Sequence, residues 1–300
     1  TPAQGNYTPG TYYGDIYGFE TERYFTKDDM NADGTNKYDQ SALESGSFTY
    51  GVGDIKFKDL NGDGVINFGN PDMIELDGKT YIPGQAGYEE ALANVNHKNV
   101  PVGTLRNHGD LKVIGNTQPR YEYGFRLGGA WRGFDIDMFF QGVGKRDMWA
   151  CSAFVMPFAR GTDAIYANQM SYNKQVIDME TQQLTGEILV DQSNDYPRLY
   201  PGFDGVGKLS GINNGRYNYY PQTRYLMNTA YLRLKNLTIG YTLPSEITRK
   251  ALIQKARIYF SADNLCLLYN GMKKYPLDPE INVGTSGTTL SQSSIFAGNG

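Results

Sequence analysis

The stretch KDLNGDGVIN, Lys58 to Asn67, carries the residues with the most chemical potential. Asp59, Asn61 and Asp63 stand at positions one, three and five of a calcium loop, Gly64 supplies the sharp turn at six, Val65 offers its carbonyl at seven, and Asn67 sits at nine. Oxygen donors at that spacing suit a hard divalent cation. A structural Ca2+ held by Asp59, Asn61, Asp63, Val65 and Asn67 is therefore an expectation. Position twelve is Asn70 where a bidentate glutamate belongs, so closure needs Asp72 or Glu75 instead. The alternative is a loop without metal, held by its own Asx turns.

Other apparent motifs fail on their chemistry. GFDGVGKL, Gly202 to Leu209, spaces Gly202, Gly207 and Lys208 like a phosphate loop, but Leu209 replaces the hydroxyl that would hold magnesium. Asp135 and Asp137 project to the same side of a strand about 7 Å apart, a separation open to a glycosidase pair, yet two carboxylates facing water are far commoner. His97 and His108 lack any metal or nucleophile spacing. No catalytic residue is expected. Trp149, Phe154 and Phe158, and the dense run with Tyr217, Tyr219, Tyr220 and Tyr225, place amphipathic rings in long connectors. Trp149, Tyr217, Tyr219 and Tyr220 are accordingly expected to contact substrate or a partner, with packing among the connectors as the plainer reading.

The elements that must position these groups are strands. Of 300 residues, 24 are Tyr, 14 Phe and 36 Gly, and 20% are charged, which favours pleated surfaces joined by glycine-bearing turns. A formal net charge of −4 gives no basic field for nucleic acid. Cys151 and Cys266 could be bridged or free. No apolar run approaches the ~18 residues of a membrane helix, whereas a barrel strand crosses in about 9 to 11 residues with alternate polar positions. A mean hydropathy of −0.51 is compatible with either a soluble protein or a barrel.

In RYEYGFRLGGAW, Tyr121, Tyr123, Phe125, Leu127 and Trp131 share one face, and Arg120, Glu122 and Arg126 the other. FDIDMFFQGVG follows after Arg132 and Gly133, with Phe134, Ile136, Met138 and Phe140 opposite Asp135, Asp137 and Gln141. A two-residue turn between alternating runs predicts an antiparallel hairpin. A second pair is predicted at AYLRLKNLTIGYTLP and ARIYFSADNL, with a β-bulge near Lys235 and Asn236 where the alternation slips phase, and a short helix capped by Ser245 between them. Thr11 to Phe25 holds a further possible strand. Long stretches without a sustained period separate these hairpins, and connectors that alternate between short and very long suit an outer-membrane barrel.

Three segments, GDIKFKDLNGDGVIN, VIGNTQPRYEYGFRLGGAWRGFDIDMFFQGVGKRD, and AYLRLKNLTIGYTLP with ARIYFSADNL and YPLDPE, together resemble the C-terminal region of the SusC/RagA family of TonB-dependent outer-membrane transporters. That resemblance implies an all-β fold, a transmembrane antiparallel barrel of 22 strands, in the outer membrane of a Gram-negative, Bacteroidetes-like cell. It also implies import of glycan or peptide fragments with a SusD-like surface lipoprotein, contact with membrane lipid, and energy relayed through TonB. Residues 1–117 would be mostly an extracellular loop with the calcium-like motif, 118–142 a hairpin, 143–229 a long extracellular loop, 230–268 a hairpin, and 269–300 an extracellular loop. Arg132–Gly133 and Pro244 to Lys255 would be periplasmic. The plug and last strand are expected outside these residues. The competing expectation is a secreted, calcium-stabilised, carbohydrate-binding β-sandwich.

Overall fold

A computed structural model describes residues 11–44, 48–69, 74–94, 107–150, 157, 166–199, 215–275, 277–280 and 289–290. In chain order the strands are β1 (Asp15–Phe19), β2 (Thr21–Tyr24), β3 (Ile55–Phe57), β4 (Ile74–Leu76), β5 (Lys79–Tyr81), β6 (Leu111–Asn116), β7 (Glu122–Trp131), β8 (Phe134–Val143) and β9 (Asp147–Ala150). They continue as β10 (Lys174–Ile177), β11 (Leu184–Leu189), β12 (Met227–Asn228), β13 (Tyr231–Thr242), β14 (Arg257–Asn270) and β15 (Thr289–Leu290). Helices are brief: α1 (Tyr88–Asn94), α2 (Ser245–Thr248) and single 3-10 turns. Among the described residues no helix is long and apolar enough to cross a membrane. The chain divides into two compact units, one of residues 1–116, 149–226 and 283–300, the other of residues 117–148 and 227–282.

The second unit is a four-stranded antiparallel sheet in the order β14-β13-β8-β7. The β7–β8 hairpin closes with Trp131 opposite Phe134. Its two turn residues, Arg132 and Gly133, have φ of +47° and +88°, the twist a two-residue hairpin requires. A Cβ on Gly133 would come within 2.9 Å of the Thr242 carbonyl oxygen, so the position needs glycine for space as well as for conformation. Val143 and Tyr231 are partners in the β8–β13 ladder, so the long connector between them leaves and rejoins the sheet at one end.

Alternation carries through all four strands. The register of β13 shifts between Leu234 and Asn236 against both neighbours: against β8 Lys235 is the extra residue, while against β14 Asn264 and Leu265 both stand opposite it, and β14 slips again at Leu268. This bulge is the one the broken alternation predicted, and it keeps Leu232, Leu234, Leu237, Ile239 and Tyr241 on one face. The helical connector forms, but its cap is corrected: Pro244 occupies the N-cap position with no side-chain hydrogen bond, and Ser245 is the first helical residue.

The stretches that showed no sustained period hold a packed core, because the first unit builds its strands from short pieces. Thr11 to Phe25 gives two strands, and β1 pairs with β6 and β2 with β3. Ile16, Phe19, Tyr24, Phe25, Ile55 and Phe57 are all buried. Two-stranded ladders leave backbone groups unpaired at their edges, and burying such groups is costly. Side-chain amides take the missing places. Gln40 donates to the Ile55 carbonyl at 3.0 Å and accepts from the Phe57 amide at 3.0 Å, and Gln192 does the same for both backbone groups of Tyr24 at 3.1 and 2.8 Å. Asn218 accepts from Ile55 N–H at 2.8 Å. A fully buried carboxylate, Asp54, takes Arg198 at 2.8 Å, the Asn218 amide at 2.8 Å and Gly51 N–H at 2.9 Å.

Candidate functional site

Each face of the four-stranded sheet has its own chemistry. On one face Phe125 stacks on Phe140 with centroids 4.7 Å apart, and Phe134 lies 4.4 Å from Tyr241. The ladders set Tyr123 and Tyr269 in one row, beside Gly142 and Leu232, and Trp131, Phe134, Tyr241 and Ile258 in another at the turn end. Aliphatic residues such as Leu127, Met138, Leu237 and Ile239 fill the middle. This face is open: Trp131 is 70% exposed, Ile258 68% and Phe260 62%. Tyr121, Phe125 and Ile136 are exposed as well, and Phe140 is half-buried. A contiguous apolar surface of this extent is rare on a soluble monomer.

The opposite face is mostly polar and internally paired, with Phe139 and Tyr259 as exposed rings among its charges. Arg126 reaches Asp137 at 2.7 Å, and Arg257 on β14 pairs with Asp135 on β8, with its Nε at 3.1 Å from the carboxylate. Thr238 meets Ser261 at 3.1 Å and Asn236 donates to Asp263 at 2.8 Å. At the end away from the Arg132–Gly133 turn, Arg233 holds Asp278 at 2.7 Å and Lys235 holds Glu280 at 2.8 Å. Asp135 and Asp137 each serve a different arginine. They are therefore half of two ion pairs rather than a couple poised across a substrate bond.

The loop from Asp59 to Asn67 closes on itself. Asp59 accepts from Gly62 N–H at 2.6 Å and Gly64 N–H at 2.9 Å, Asp63 accepts from Val65 N–H at 2.8 Å, and Asn61 Nδ2 donates to Asp63 at 2.8 Å. Asn67 Nδ2 donates to the Val65 carbonyl at 3.1 Å. The donors of a cation site are present, but among the described residues no three His, Cys, Asp or Glu converge on one point. Asn70 and Asp72 lie outside the described residues. Sequence reasoning missed Asp110, which is fully buried and accepts from both ends of the loop, Leu60 N–H and Asn67 N–H, each at 2.8 Å. Burial pushes its carboxyl above the ordinary range, and the charges of Asp59 and Asp63 add to that rise. Nothing in HGDL, more than forty residues downstream, could have signalled this role.

The aromatic expectation is corrected for three residues. Trp149, Tyr217 and Tyr219 are buried in the first unit, at 2%, 5% and 8% exposure, and offer no face to a ligand in this conformation. Tyr217 packs 5.1 Å from Phe48 and accepts a 2.5 Å bond on its carbonyl from Tyr50, while Tyr219 lies 5.2 Å from Tyr225. Tyr220 is half-buried and donates to the Leu43 carbonyl at 3.0 Å. Desolvation raises the phenols of Tyr50, Tyr219 and Tyr225 well above their ordinary value, so all three are neutral packing groups. Phe154, Phe158, Cys151, His97 and Gly202 to Leu209 lie outside the described residues. Cys266 is an exposed free thiol on β14.

No family model matches the chain. Its sequence is 24% identical over 187 residues to the TonB-dependent receptor P3 of Formosa agariphila, a match that takes in 62% of this chain and 15% of that protein. Among solved structures, one of the RagAB peptide transporter superposes with a TM-score of 0.43 at 18% identity, and one of the RagAB peptide importer in its open-open state with 0.44 at 17%. Each covers 95% of this chain and 22% of the solved one. The chain thus spans less than a quarter of the length of the proteins it matches. The likeness in sequence to a TonB-dependent receptor agrees with the resemblance carried by the three segments.

Proposed function

We propose that this chain, a SusC/RagA-like stretch of an outer-membrane TonB-dependent receptor, contributes part of the wall of a closed barrel that imports nutrient fragments. The observation that supports this reading is the four-stranded sheet with an uncovered aromatic and aliphatic face backed by paired charges. Phe134 to Gly142 covers about 26 Å of strand at ~3.3 Å per residue. At the ~40° tilt of barrel strands that is about 20 Å along the bilayer normal, near the ~25 Å apolar band such barrels present. The rows with Tyr123 and Tyr269 at one edge and Trp131, Phe134 and Tyr241 at the other suit the two interfaces, where amphipathic rings concentrate. The charged face would then line a wet interior, where Arg126, Asp137, Asp135 and Arg257 keep their solvation.

In this reading Arg132–Gly133 and the α2 connector are periplasmic turns, and residues 1–117 and 143–229 are mostly extracellular connectors. The 22-strand barrel, the SusD-like lipoprotein, TonB coupling and an oligosaccharide or oligopeptide cargo complete the proposal. A Ca2+ at Asp59, Asn61, Asp63, Val65 and Asn67 would stiffen an external loop, since millimolar affinity is sufficient there. The secreted β-sandwich is disfavoured because a sandwich covers its apolar sheet face with a second layer, and β7, β8 and β14 leave theirs exposed.

The test is fractionation of the full-length protein. It should remain with outer membranes, resist SDS until heated, and support growth on an oligomeric nutrient that a deletion strain cannot use. Release into buffered salt without detergent would overturn the reading.

A further inference from the structure

Beyond β14 the chain turns back toward the start of β13. Gly271 N–H donates to the Ala230 carbonyl at 2.9 Å, and Met272 and Tyr275 are buried, which fixes the return path. The three residues Asp278, Pro279 and Glu280 then meet three cations in succession. Arg233 takes both carboxylate oxygens of Asp278 at 2.8 and 2.7 Å, Arg146 donates to the Pro279 carbonyl, and Lys235 takes Glu280 at 2.8 Å. Arg233 Nε also lies 3.2 Å from Glu280, and Arg146 is itself held by Thr229 Oγ1 at 2.7 Å.

The two members of the Arg233–Asp278 pair differ in exposure, whereas Lys235 and Glu280 are alike at 22% and 26%. Side-chain exposure is 11% for Arg233 but 50% for Asp278. The ladder places Arg233 beside Gln141, on the charged face and at the end away from the Arg132–Gly133 turn. A cation cradle built into the sheet is therefore occupied by an acidic tripeptide in which Asp278 stays open to water, while Glu280 is half-buried and Pro279 buried. Ion pairs of that kind are individually weak and screened by salt, so three together can hold a segment without fixing it permanently.

We propose that Leu277–Glu280 is a charge-latched strap closing one end of the polar face, released when its anionic groups are neutralised or screened. This rests on the transport reading, in which the polar face lines the conduit and this end opens to the exterior. Arg146, Arg233 and Lys235 would be uncovered on release, presenting three donors to an anionic group on passing cargo.

The test uses the full-length protein in outer membranes, with Cys151→Ser and Cys266→Ser as background. Thr238→Cys reports on the polar face and Ile239→Cys on the apolar face, each read as its rate of reaction with a membrane-impermeant anionic thiol reagent added from outside. Asp278→Asn with Glu280→Gln should raise the Thr238→Cys rate several-fold and leave Ile239→Cys unchanged, with the heat-modifiable band preserved. Molar salt should raise the same rate in the unmutated strap, which keeps the proposal testable if the double variant fails to assemble. Equal Thr238→Cys rates with and without the strap charges, or with and without salt, overturn the latch. A rate at Ile239→Cys matching that at Thr238→Cys overturns the transport reading itself.

Discussion

Arg257 on β14 pairs with Asp135 on β8 by crossing β13 at Gly240. The ladder sets Asp135 opposite Gly240, and a Cβ at that glycine would run into the guanidinium. The collision is with the far end of a flexible side chain, so Gly240→Leu should displace Arg257 without unfolding the sheet. Asp135→Asn is then expected to lower the heating temperature at which the folded band is lost in the parent, and to have no further effect in the Gly240→Leu background. Equal effects of Asp135→Asn in both backgrounds would show that the pair does not depend on that crossing.

Lys235 is the surplus residue of β13 against β8, so deleting it leaves Leu234 and Asn236 in correct alternation against Phe140 and Phe139, with β14 keeping the bulge. The deletion should still assemble. Deleting Thr238 instead forces one half of β13 to the wrong face, and on the proposed barrel reading, with Arg233 turned toward lipid, the cost is about 2–4 kcal/mol. The heat-modifiable band in outer membranes is expected to persist in the first variant and to be lost or greatly reduced in the second.

Asp54 gathers a guanidinium, an amide and a backbone N–H at a fully buried position. Asp54→Ala takes a fully buried carboxylate away from the Arg198 guanidinium and two further donors and is expected to destabilise the first unit by about 3–5 kcal/mol. Near-ultraviolet circular dichroism on heating, which follows the tyrosine-rich core, should show an early transition.

Gln40→Leu keeps the volume but removes both partners of the β3 edge. Each orphaned backbone group costs about 1–3 kcal/mol. Amide exchange at Phe57 should accelerate by orders of magnitude while exchange in β8 is unchanged.

Arg23 holds Asp29 through paired bonds of 2.5 and 2.6 Å, and these, with Thr26, keep its carboxyl well below the ordinary range. A carboxyl depressed on folding contributes its full stability at neutral pH, and that contribution disappears as pH falls through the carboxylate range toward the folded value. Asp29→Asn should lower stability by about 2 kcal/mol at pH 7 and flatten the acid limb of a melting-temperature profile. Asp110 runs the other way, since its raised carboxyl favours the protonated folded state. An unchanged acid limb in Asp29→Asn would remove the pair from the account.

The sequence by itself determined the four long strands, their faces and the Lys235 bulge. Each is written in nearest-neighbour alternation, and a period of two needs no distant partner to be legible. Arg132–Gly133 was legible for the same reason, because a two-residue turn is a local conformation. The calcium-like spacing was legible as a loop, though not the Asp110 carboxylate that fixes both its ends.

Only the tertiary structure decided the first unit. Its strands are too short to carry a period, and their hydrogen bonds are completed by Gln40, Gln192 and Asn218, whose side chains look in sequence like ordinary loop polarity. Tyr217 and Tyr219 went inside for a related reason: a tyrosine in a glycine-rich connector has the same local signature whether its ring faces water or fills a core, and the partners that cover Tyr217, Phe48 and Tyr50, stand well over a hundred positions upstream. The pairing of Val143 with Tyr231 and the capture of Asp278 and Glu280 by β13 belong to the same class, since both depend on where the chain returns.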